Sequence, residues 1–104
     1  MIRISIPEKV NAGDIIELKA MIQHPMETGY RRDQKGKVIP QNIITSFKCS
    51  YDERTIFEAT FLPGIAANPF LTFFVRATHT GTLVFRWTDQ VGETWSEKRT
   101  LSVA

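Results

Sequence analysis

The strongest constraint on this chain is a period of two. From Ile15 to Gln23, Ile16, Leu18, Ala20 and Ile22 point one way, and Glu17, Lys19, Met21 and Gln23 point the other. Successive side chains of an extended strand leave on opposite faces, so this is a strand with one dry face and one wet face. An amphipathic helix needs apolar residues at i, i+3 and i+4, and the stretch does not provide them. The same alternation recurs along the chain. Ile2, Ile4 and Ile6 pattern a short first strand over Arg3 to Ile6, stopped by Pro7. Asn11-Ala12-Gly13-Asp14 then turns the chain into the strand already described.

A third strand is expected over Ile43 to Tyr51, with Ile43, Thr45, Phe47, Cys49 and Tyr51 on one face and Ser46, Lys48 and Ser50 opposite. Asp52-Glu53-Arg54 turns into a fourth strand, Thr55 to Phe61, with Phe57, Ala59 and Phe61 on one side. The crossing segment Leu62 to Pro69 holds two prolines and a glycine, which leaves room for one helical turn at most. Phe70 to Ala77 reads as a fifth strand and Thr82 to Thr88 as a sixth, with Leu83, Phe85 and Trp87 inward. A hairpin loop, Asp89 to Glu93, leads to a seventh strand, Thr94 to Val103, with Trp95, Leu101 and Val103 on the inner register. Seven strands and regular turn signals in 104 residues predict one all-β domain over 1–104, an immunoglobulin-like β-sandwich of antiparallel strands. With Cys49 as the single cysteine, no intrachain disulfide can tie the sheets together.

Two stretches exceed what a sandwich needs. His24-Pro25-Met26-Glu27-Thr28-Gly29 opens a polar connection that runs to Gln41, long for a small domain. Gln34-Lys35-Gly36-Lys37 within it reads as a hairpin tip between two short arms. The second stretch is the fifth strand, apolar on both faces: Leu71, Phe73 and Val75 on one, Phe70 and Phe74 on the other. Such a strand next to Pro69 marks a partner surface, unless the long 24–41 loop folds over it. An exposed apolar face also predicts self-association of the isolated chain.

The search for chemistry narrows the classes. The net charge of +2 is scattered, and the one basic run, Tyr30 to Lys37, is interrupted by Asp33 and reads as a solvated loop. Neither nucleic acid nor an anionic membrane is indicated, and there is no apolar run of membrane-spanning length. Met1 to Ile6 alternates and reaches Pro7 without a signal-peptide core, which taken alone predicts a cytoplasmic protein. His24 and His79 end separate strands, Cys49 sits mid-strand on a buried face, and the carboxylates are dispersed. No nucleophile–base pair or phosphate loop emerges. His24 and Met26, with His79 or Cys49 joining in space, would offer donors suited to copper. The plainer alternative is that Pro25 rigidifies a turn, Met26 fills a gap and His24 satisfies a backbone group.

The motifs together resemble the SoxZ family. They are His24 to Gly29, Gly36, Ile39-Pro40, Ile43-Ile44, Phe47-Lys48-Cys49, Ala66-Ala67-Asn68-Pro69-Phe70, Gly81-Thr82-Leu83 and Trp87-Thr88-Asp89, in order over nearly the whole chain. The resemblance implies an immunoglobulin-like sandwich with no catalytic residue and no cofactor of its own. It implies pairing with a SoxY subunit, whose glycine-rich C-terminal arm bears the cysteine that carries sulfur as a covalent adduct in thiosulfate oxidation. It also implies docking of other Sox enzymes, and export to the periplasm in a folded complex under the partner's twin-arginine signal, so no signal at Met1 is expected. Cys49 lacks a flexible glycine-rich arm and is not expected to be the carrier thiol. The chain ends within a strand at Thr100 to Ala104, without such an arm. Within this resemblance, Pro69, Phe70 and Phe74 are expected at the partner face, and the 24–29 motif is expected to shape the loop beside it.

Overall fold

The computed structural model describes residues 1–62 and 69–104. Seven strands form: β1 (Ile2–Ser5), β2 (Ile15–Ile22), β3 (Ile44–Tyr51), β4 (Arg54–Thr60), β5 (Phe70–Arg76), β6 (Gly81–Asp89) and β7 (Thr94–Leu101). They divide three on four. One sheet has the order β1-β2-β5 and the other β4-β3-β6-β7, with every strand pair antiparallel. The predicted all-β, immunoglobulin-like sandwich is therefore present. Of the expected crossing segment, Leu62 to Pro69, residues 63–68 lie outside the described residues.

The alternation of β2 is realised in full. Ile16, Leu18, Ala20 and Ile22 are buried, while Ile15, Glu17 and Lys19 are exposed. In β6, Leu83, Phe85 and Trp87 are fully buried, as their period-two spacing requires. The buried inner faces meet around Phe47, whose ring lies 5.0 Å from Trp87, 5.8 Å from Phe73 and 6.2 Å from Phe57, centroid to centroid. Phe57 of β4 stacks on Phe73 of β5 at 4.4 Å with the planes 9° apart. The two contacts to Phe73, from Phe47 and Phe57, join the two sheets, which have no disulfide between them, and each such ring pair is worth about 0.5–1.5 kcal/mol beyond its buried area.

The alternation fails at two places, one of them between β3 and β4, where Cys49 faces Phe57 and Ser50 faces Thr55, and the other at the start of β3. Ile43 and Ile44 are both buried, and the register of β3 against β6 shifts between Ile44 and Ser46. A bulge of one extra residue lets two adjacent side chains enter the core. The strand therefore begins at Ile44 rather than Ile43, and Thr45 is only half-buried. β6 also runs further than its apolar pattern suggested. Asp89, expected in the hairpin loop, is its last residue and is buried. The predicted arms of the 24–41 connection are present. Arg32 bridges Val38, and Asp33 accepts the Gly36 amide at the hairpin tip.

Candidate functional site

The outer face of the β1-β2-β5 sheet is built by register. Met21 pairs with Phe70, Lys19 with Thr72, Glu17 with Phe74 and Ile15 with Arg76. The side chains that point away from the core are therefore apolar at three levels along the sheet, with the exposed Lys19–Glu17 ion pair at 3.4 Å among them. Phe70 is 58% exposed, Phe74 64% and Ile15 58%. Phe70 also walls a shallow dent of about 230 Å³ lined by Arg3, Ile4 and Met21. Among the described residues nothing covers Phe70 and Phe74, so the 24–41 connection does not fold over them. Pro69 is buried, and its carbonyl accepts the Ile22 amide at 3.4 Å. Of the three residues expected at a partner surface, Phe70 and Phe74 present area, and Pro69 fixes where β5 starts. β5 is also an edge strand of its sheet.

The 24–29 motif lies at the same end of the sandwich, just past the Met21–Phe70 pair. His24 is buried, and its Nδ1 accepts the Met26 amide at 2.9 Å. That nitrogen is consequently unprotonated, which puts the proton of the neutral ring on Nε2. Nε2 faces Asp89 Oδ2 at 3.4 Å, and the ring meets Trp95 edge-on at 5.8 Å. Met26 is buried with φ of 52°, a left-handed conformation uncommon for a side chain of this size. The conformation is held because Met26 Sδ accepts the Ile44 amide at 3.2 Å and the next residue, Glu27, exchanges two 2.8 Å backbone bonds with Asn42. Pro25 and Thr28 are exposed, and the Thr28 carbonyl accepts Gln41 Nε2 at 3.3 Å. Gly29 has φ of 89°, and a β-carbon there would sit 3.3 Å from Gln41 Cβ. Glu27 is bound by Arg31 through both Nε and Nη2, and this pairing holds its carboxyl below the usual range.

Asp89, Asn42 and Trp95 complete this cluster, and sequence reasoning missed Asp89 and Trp95 as partners of His24 and Asn42 as a partner of Asp89. Asp89 Oδ1 accepts the Val91 and Glu93 amides at 3.1 and 2.9 Å, and Oδ2 accepts Asn42 Nδ2 at 3.3 Å. Burial pushes the Asp89 carboxyl up, but the bonds from Glu93, His24 and Asn42 outweigh it and hold the pKa below the ordinary value of 3.8. The available signal was the Trp87-Thr88-Asp89 run, an acidic residue at the mouth of a hairpin.

The donors suited to copper are dispersed or engaged. His79 lies before the start of β6, whereas His24 meets Asp89 at its far end, so the length of the strand separates them. The His79 Nε2 is 2.7 Å from Asp52 Oδ2. Cys49 is fully buried, and desolvation pushes its thiol up to about 12, which leaves it protonated and inert. Among the described residues no group of three or more His, Cys, Asp or Glu is placed to hold a metal ion.

Fold and site together define a β-sandwich with an exposed aromatic sheet face and a hydrogen-bonded loop cluster at one end. Solved structures share the architecture. A superoxide reductase (neelaredoxin) variant from Ignicoccus hospitalis aligns with TM-score 0.77 at 20% identity, over 99% of this chain and 79% of that one. The sulfur carrier protein SoxY from Chlorobium limicola f thiosulfatophilum aligns with TM-score 0.71 at 16% identity, over 99% and 78%. A putative superoxide reductase from Thermotoga maritima aligns with TM-score 0.70 at 14% identity, over 99% and 85%. At these identities the likeness is one of fold. A comparison with curated proteins finds no match. The sequence profile of the family described as sulphur oxidation protein SoxZ matches residues 2–100. The chain belongs to the SoxZ family and is thereby a component of the Sox sulfur-oxidation system.

Proposed function

We propose that this chain is the non-catalytic subunit of a heterodimeric sulfur carrier and that the outer face of β5 is where it meets its partner. The partner is a SoxY-like subunit whose C-terminal arm cysteine holds the sulfur adduct during thiosulfate oxidation. This chain supplies the rigid base for that arm and a surface on which other Sox enzymes dock in turn. The complex works in the periplasm and is exported already assembled. The observation that carries the reading is the exposure of Phe70 and Phe74 on an otherwise well-packed sandwich of the SoxZ family. Water-exposed aromatic area of this kind is what a partner removes. The buried, protonated Cys49 thiol is consistent with leaving the covalent chemistry to the other subunit.

The test is the affinity for the SoxY-like subunit by calorimetry. Phe74 points away from the core, so Phe74→Asp leaves the sandwich folded. It should weaken the complex by about 2 kcal/mol or more, the cost of losing a buried aromatic anchor. Unchanged affinity in both Phe74→Asp and Phe70→Asp would remove this face from the interface.

A further inference from the structure

The end of the sandwich remote from His24 carries a second feature. A cleft of about 430 Å³ opens there between the edge strands β4 and β5. The half-buried Ile56 and Val75 line it together with two exposed arginines, Arg54 of β4 and Arg76 of β5. Thr78 and His79, from the β5–β6 turn, close one side.

The charges in this cleft do not balance. Asp52 is its one carboxylate, and it is already bound. Its Oδ1 accepts the Thr82 amide at 2.8 Å and its Oδ2 faces His79 Nε2 at 2.7 Å. Those bonds hold its carboxyl below the ordinary aspartate range. His79 Nδ1 lies 2.8 Å from Thr78 Oγ1, so both nitrogens of that ring are occupied and the turn forms a fixed wall. The Tyr51 hydroxyl ties the same turn down through the His79 carbonyl and the His79 amide. Among the described residues neither Arg54 nor Arg76 is in an ion pair. Arg76 Nη1 donates to the Gly13 carbonyl at 3.0 Å, which steadies the guanidinium and leaves its other N–H groups for a ligand.

We infer that this cleft is an oxyanion-binding site in which Arg54 and Arg76, one from each sheet, clamp a sulfate-like group between them. Planar guanidinium forks match paired oxygens, and two forks lining one cleft suit a tetrahedral anion better than either would alone. The apolar lining admits a group that continues into an uncharged body. The oxyanion is either free in solution or carried on another protein, and the oxygens offered to the arginines are the same. The inference stands on the cleft alone and survives if the partner face proves to be elsewhere.

The test is a sulfate titration of the full-length chain, followed by NMR on arginine side-chain nitrogens, with chloride at matched ionic strength as the reference. Arg54 and Arg76 should shift together and saturate in the millimolar range. Arg54→Gln or Arg76→Gln should weaken sulfate binding by about tenfold or more, as loss of a charge-assisted bond requires. Lys48→Gln, on the outer face of β3, should leave it unchanged. Both arginines are exposed, so the variants keep the fold, and unaltered amide spectra would verify this. If the complex with the SoxY-like subunit shows Arg54 and Arg76 already shifted before sulfate is added, the oxyanion comes from the partner; if they shift only on titration, the ligand is free. Shifts spread evenly over all surface cations, or none beyond those chloride produces, would overturn the assignment.

Discussion

Met26 shows how much one residue of this chain is asked to do. Its side chain fills the core, its sulfur accepts a buried amide and its backbone is left-handed. Met26→Leu keeps the volume and removes the acceptor, so the Ile44 amide is stranded. The expected loss of about 1–3 kcal/mol is read as a lower midpoint in urea. Met26→Ala adds a cavity, and its cost should reach about 2–5 kcal/mol. Asp89 makes a pH prediction. Its folded pKa lies below the ordinary 3.8, so its contribution is complete above that value and is lost as the pH falls through and below it. Thermal midpoints followed from pH 3.8 downward should therefore fall more steeply for the native chain than for Asp89→Asn. Equal slopes would remove Asp89 from the acid response. Cys49 predicts the reverse of a carrier thiol. Iodoacetamide should modify it only after unfolding, because the folded thiol is buried and protonated. Gly81 is constrained by space, since a β-carbon there would lie 2.5 Å from Asp52 Oδ2 and 2.8 Å from the Tyr51 ring. Histidine and aspartate are common loop residues, and nothing in their own neighbourhoods shows that His24 and Asp89 meet. Their pairing spans 65 positions and is set by tertiary structure, so it was illegible from the residues taken singly.

Among the elements, the strands that alternate cleanly were readable, because burial enforces the period wherever one face is dry. β2 and β6 fall within a residue or two of their expected bounds for that reason. β3 was misread at its start because a bulge adds a residue without any marker of composition. The double apolarity of β5 was legible, and it translates into real exposure of Phe70 and Phe74. The hairpin at the tip of the 24–41 connection is paired on itself, through Arg32 with Val38 and Asp33 with Lys37. Residues 30–38 are exposed throughout. Replacing Asp33 to Lys37 by two glycines should therefore change stability by less than about 1 kcal/mol, since closing a shorter loop alters the entropy little. A larger loss in a denaturant titration would mean that the hairpin braces the core.

At the scale of the molecule, the two ends of the sandwich differ in character. One end holds the His24–Asp89 cluster beyond Phe70, and the apolar outer face of the sheet runs from there along β5 to Ile15 and Arg76. The other holds the arginine-lined cleft. Without its partner, the aromatic face should be covered by a second copy of itself, in a two-fold arrangement that brings like patches together. Light scattering of the isolated chain should show a dimer that Phe74→Asp returns to monomer. The central claim, a non-catalytic base in a sulfur-carrier pair, is tested most directly by native mass spectrometry of this chain purified at natural abundance from its own cells. The expected species is a one-to-one complex with a subunit ending in a glycine-flanked cysteine, with sulfur adduct masses on that subunit and none on Cys49. The chain alone, or an adduct on Cys49, would contradict the claim.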